Sequence, residues 1–117
     1  MAETLKCPHC GSEFPARTPG ATFEVTGWTG TPLGLRFGNE NRRLFVDPCW
    51  SDLHLDLDGE VRLVPIGEAF WRKCPEIRSH AIEAWLKRHR LHPWPPGQPP
   101  RIRIEYLGQD YFRALLP

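Results

Sequence analysis

Residues 7–10 read Cys7-Pro8-His9-Cys10 and run directly into Gly11. Two thiols separated by two residues can bite one tetrahedral zinc ion, and the glycine lets the backbone turn so that amides approach the sulfurs. That supplies half of a coordination sphere. The other two ligands would come from Cys49, Cys74, His54 or His80, or from the same pair on a second copy, which would make a metal-bridged homodimer. Cys49 lies between Pro48 and Trp50, and Cys74 between Lys73 and Pro75; both settings also suit ordinary buried thiols. Structural zinc on Cys7 and Cys10 is the cofactor expected.

The run from Lys6 to Phe14 resembles the first knuckle of a zinc ribbon, a likeness of about eight residues. The tetrad alone also resembles the redox motif of thioredoxin-like thiol oxidases, which sits at the start of a helix after a buried strand. Here Gly11 stands where that helix should be under way, and no strand fits before Leu5. The metal reading suits this context better than the redox one.

A second set of candidate ligands is Asp52, His54, Asp56 and Asp58, which alternate with Leu53, Leu55 and Leu57. On a strand they share one face at intervals of about 6–7 Å. Carboxylates and an imidazole so placed can hold a divalent metal, and Asp52, His54 and Asp56 define a metal-dependent hydrolase as one alternative. The same pattern is the ordinary polar face of a strand whose leucines point inward. No Gly-rich phosphate loop, serine nucleophile elbow or His-Glu-x-x-His is present, so a non-enzymatic protein is expected.

The third set is cationic. The net charge of +1 conceals an asymmetry: residues 1–60 carry five Lys/Arg against nine Asp/Glu, and residues 61–117 carry ten against five. Arg78, Lys87, Arg88, Arg90, Arg101 and Arg103 can form one phosphate-contacting surface, with Trp94 or Tyr106 to stack a base. Against this, Arg88 and Arg90 suit the end of a helix dipole, and Lys87 can pair with Glu83. Trp94, in the proline-rich run 93–100, either lids the core or anchors a protein partner. The expected function is a small binding module for nucleic acid or a nucleic-acid-handling protein. The alternative is a protein-interaction or assembly subunit that uses Trp94.

These residues need elements to hold them. The chain of 117 residues, 40% hydrophobic and 25% charged, is long enough for one core. Thirteen prolines and ten glycines favour short elements and sharp turns. Residues 1–20 form a small polar appendage ending at Pro19-Gly20, and 21–117 form the domain. Alternation predicts strands around Phe23–Val25, Leu33–Phe37, Leu44–Val46, Leu53–Leu57 and Val61–Leu63, with Asp58-Gly59 turning a hairpin. Ile77, Ala81, Ile82, Trp85, Leu86 and Leu91 form a helical stripe, giving one helix at about 75–91. Ile102, Ile104 and Tyr106 open a final hairpin through Phe112. The fold expected is α+β: a mainly antiparallel curved sheet or partly open barrel of about 5–7 short strands, with that helix against it. With no secretory leader and no long apolar run, the chain reads as a cytoplasmic, microbial protein without a membrane partner.

Overall fold

Asp58 and Gly59 both take left-handed backbone, with φ of 58° and 87°. Two such residues in succession match the twist of a two-residue hairpin, and Asp-Gly tolerates them. The turn joins β5 (Asp52–Leu57) to β6 (Glu60–Pro65), in register from Leu57↔Glu60 to Asp52↔Pro65. The computed structural model describes residues 18–117 and, as backbone only, two short strands before them. Those strands, β1 (Thr4–Lys6) and β2 (Glu13–Pro15), pair antiparallel. Cys7 and Cys10, and with them the expected knuckle, lie outside the described residues.

The main sheet has seven strands in the order β6-β5-β9-β8-β3-β4-β7. The remaining five are β3 (Thr22–Trp28), β4 (Gly34–Arg36), β7 (Glu76–Arg78), β8 (Arg101–Gly108) and β9 (Tyr111–Leu115). All neighbours are antiparallel except β5 and β9. The sheet curls until its edge strands β6 and β7 approach each other, a nearly closed barrel. Period-two alternation sends Phe23, Val25, Leu35, Leu53, Leu55, Ile102, Ile104 and Phe112 inward. Each such side chain contributes about 1.5–3 kcal/mol by burial.

The single helix expected at about 75–91 is corrected at its start. Residues 76–78 are β7, and the helix α3 spans His80–Arg88. Ile77 belongs to either period, so the sequence does not mark the change. What decides it is pairing: Glu76 stands opposite Arg36 on β4, and their side chains meet at 2.7 Å. Ser79 then caps α3, its hydroxyl accepting from the Ile82 amide at 3.1 Å. Ile82, Trp85 and Leu86 are buried against the barrel interior.

Two further helices were not expected. Asn39–Phe45 forms α1, which takes in most of the strand expected around Leu44–Val46, and Glu68–Arg72 forms α2. In α1 the Arg42 guanidinium donates to the Phe70 and Trp71 carbonyls at 2.6 and 3.0 Å, and the Asn41 amide donates to the Glu24 and Phe37 carbonyls. Tertiary partners for polar side chains hold this turn helical, and alternation over three residues could not reveal them. None of the helices among the described residues is long and apolar enough to cross a membrane.

Candidate nucleic-acid interface

Register fixes which outward side chains share a row. Arg101 on β8 and Arg36 on β4 both stand opposite Thr26 on β3, and Arg36 stands opposite Glu76 on β7. Partners in register point to the same face, so the two arginines lie about 10 Å apart across Thr26. The next row is Trp28, Gly34, Arg78. Gly34 presents no side chain between them, and the Arg78 guanidinium sits 5.5 Å from the Trp28 ring centre. A Cβ on Gly34 would lie 2.1 Å from the Ile77 carbonyl oxygen, so only glycine fits that row. The Trp28 ring also packs close to Gly30, where a Cβ would fall 2.0 Å from it. Arg103, opposite Glu24, completes the group.

The outer face of β8-β3-β4-β7 therefore carries Arg36, Arg78, Arg101 and Arg103 around a half-buried tryptophan. Arg36 is engaged by Glu76. Arg101 lies 3.8 Å from Glu24, both well exposed, a contact worth about 0–1 kcal/mol. Arg78 and Arg103 have no ion-pair partner among the described residues. Beyond Arg103 the same face changes character: Arg113 on β9 bridges Asp56 at 3.3 Å and Glu105 at 3.6 Å, one cation between two carboxylates.

The other three predicted cations are elsewhere. Lys87 and Arg88 close α3 and Arg90 follows it, about 15 Å along the helix from Arg78. Arg88 donates to Asp58 Oδ2 at 2.9 Å, His89 Nε2 lies 2.6 Å from the same oxygen, and Trp85 Nε1 donates to Oδ1 at 3.1 Å. The His89 contact first, then the Trp85 and Arg88 donors, hold the Asp58 carboxyl below the usual carboxylate range. Trp94 is half-buried, packed with Pro100 over the inward side of Gly27. Trp28, the next residue on that strand, projects from the opposite side.

Asp52, His54 and Asp56 do share the outer face of β5, each with its own partner. His54 Nδ1 lies 3.2 Å from Asp110 Oδ2, and its ring stacks on Tyr111 at 4.2 Å. Asp56 accepts from the Gly59 amide at 2.8 Å and from Arg113. Asp52 meets Ser51. Among the described residues no three His, Cys, Asp or Glu side chains are placed to hold a metal ion. Cys49 is disulfide-bonded, and Cys74 is a free, exposed thiol.

Arg36 and Trp28 were not among the expected site residues. Arg36 is legible as the outward member of an alternating strand, but Trp28 falls between the expected strands around Phe23–Val25 and Leu33–Phe37. β3 runs three residues past Val25, and that extension sets the tryptophan on the sheet face. No protein-family model matches the chain, and neither a curated protein nor a solved structure does.

Proposed function

We propose that this protein is a non-enzymatic binding module that engages nucleic acid through the outer face of β8-β3-β4-β7. The observation that carries the reading is the arrangement of Arg36, Arg78, Arg101 and Arg103 around Trp28 on one sheet face. Guanidinium groups contact phosphates, and an aromatic ring gives a base a surface to stack on. The sheet holds the group on ladder-bonded backbone, so ordering it costs less side-chain and loop entropy than a flexible tail would. Fluorescence anisotropy with labelled DNA and RNA, titrated from low to moderate salt, tests the reading. Binding that falls steeply with salt, with a log–log slope of about −2 to −4 for three to four phosphate contacts, is expected. No binding at low salt would remove the reading.

The assignment of Cys7 and Cys10 as zinc ligands belongs to this proposal and rests on their spacing. A disulfide at Cys49 makes the opposite demand on sulfur chemistry, because zinc holds thiolates and a disulfide removes them. Metal content and free-thiol count of protein purified without chelator discriminate. About one zinc per chain, with all four cysteines alkylated after its removal without reductant, supports the ligand assignment; a metal-free chain with a protected disulfide overturns it.

A further inference from the structure

Beside the Trp28–Arg78 row the sheet edge drops into a cavity of about 200 Å³, walled by Trp28, Arg78 and Glu76 on one side and by Ala69, Lys73 and Cys74 on the other. Its chemistry is uneven in a way that points to a ligand. The Glu76 side chain is only 9% exposed, yet both Arg36 contacts, from Nε at 3.2 Å and Nη2 at 2.7 Å, go to the same oxygen, Oε1. Oε2 has no hydrogen-bond partner among the described residues. Trp71 Nε1 is the fully buried side-chain polar atom left without a partner among the described residues, so Oε2 keeps an open surface through which a donor can reach the carboxylate. The aromatic wall, the two cations Arg78 and Lys73, and a single acceptor are the features that hold a planar, donor-bearing ring attached to a phosphate chain.

We infer that this cavity receives one unpaired base of single-stranded nucleic acid, and that Glu76 Oε2 accepts from the exocyclic amino group of that base. The inference rests on the nucleic-acid reading and narrows it. A duplex cannot enter, because a paired base has both faces stacked between its neighbours and cannot lie in the cavity. The base takes the place of the Arg78 guanidinium against the Trp28 ring, Arg78 and Lys73 turn to the flanking phosphates, and the Arg36 contact holds Glu76 in orientation. Cytosine carries the donor that Glu76 needs; thymine, a pyrimidine of similar size, presents a carbonyl oxygen at that position and is repelled.

The experiment measures anisotropy at fixed low salt for labelled dC12, dT12 and a twelve-unit abasic strand against the wild-type chain, Trp28→Ala, Trp28→Phe and Glu76→Gln. The expected order is dC12 tightest, dT12 about tenfold weaker, and the abasic strand weakest. Trp28→Ala brings dC12 close to the abasic value, Trp28→Phe retains most of the difference, and Glu76→Gln removes the preference for dC12 over dT12, since an amide both donates and accepts. Equal binding of dC12 and the abasic strand overturns the inference and leaves the surface reading standing. Equal binding of dC12 and dT12, both above the abasic strand, overturns the role of Glu76. Failure of every strand to bind, the abasic one included, removes the surface reading itself.

Discussion

Two clusters of positive charge, drawn from the same stretch of sequence, end in opposite conditions. At the end of α3, Arg88 and His89 close on one carboxylate, Asp58, which also receives the Trp85 indole. That cluster ties the β5–β6 hairpin to the helix and satisfies the polar atom of a buried tryptophan. On the sheet, Arg78 and Arg103 have no ion-pair partner among the described residues, and Trp28 lies among them half-buried. Nearness of arginines in sequence therefore does not mean equal availability. The first cluster, though also at the surface, is engaged by a carboxylate of the fold, and the second leaves two guanidinium groups without an ion-pair partner among the described residues.

The comparison breaks most visibly under charge reversal. Arg101→Glu with Arg103→Glu is expected to weaken nucleic-acid binding about 100-fold at low salt and to lower the salt slope by about 2, with the melting temperature little changed. A fall in melting temperature with unchanged affinity would show the sheet arginines to be structural.

A smaller effect is expected from Asp58→Asn, which keeps a side chain tolerant of left-handed backbone and removes the charge. Because the folded Asp58 carboxyl titrates below its unfolded value of about 3.9, its contribution is complete above that pH. It is lost as pH falls through the lower folded value, where the unfolded chain no longer binds the extra proton. The variant should be less stable at neutral pH and show a shallower acid limb in thermal melts, with nucleic-acid affinity unchanged. Equal acid limbs would deny the carboxylate its tying role.

The smallest effect belongs to Lys87→Glu with Arg90→Glu, expected to change affinity less than about threefold through long-range field alone. A loss as large as that of the sheet pair would place the helix end in the interface and undo the distinction.

Much of the scaffold was legible. Asp58-Gly59 with the leucines before it, and the Ile102–Phe112 alternation, each carry a local signal strong enough to specify a hairpin, and both hairpins are present. The α3 stripe was legible from Ala81 onward. Short elements were not: α1 and β7 hold seven and three residues, too few for a period to assert itself, and both are fixed by partners distant in sequence. For the candidate site, Arg78, Arg101 and Arg103 were named in advance, whereas Trp28, Arg36 and Glu76 were not. Their grouping depends on β4 pairing with β3 on one side and β7 on the other, across separations no local pattern records.

By itself the sequence determined a sheet-rich α+β domain with inward leucines and isoleucines, a basic second half and a Cys pair spaced for metal, because alternation, turn chemistry and ligand spacing are local properties. Tertiary structure decided which arginines are free. Whether a guanidinium meets a carboxylate or solvent depends on strand order and register, so Asp58 claims Arg88 from thirty residues away, while Gly34 lets Trp28 and Arg78 meet across a strand.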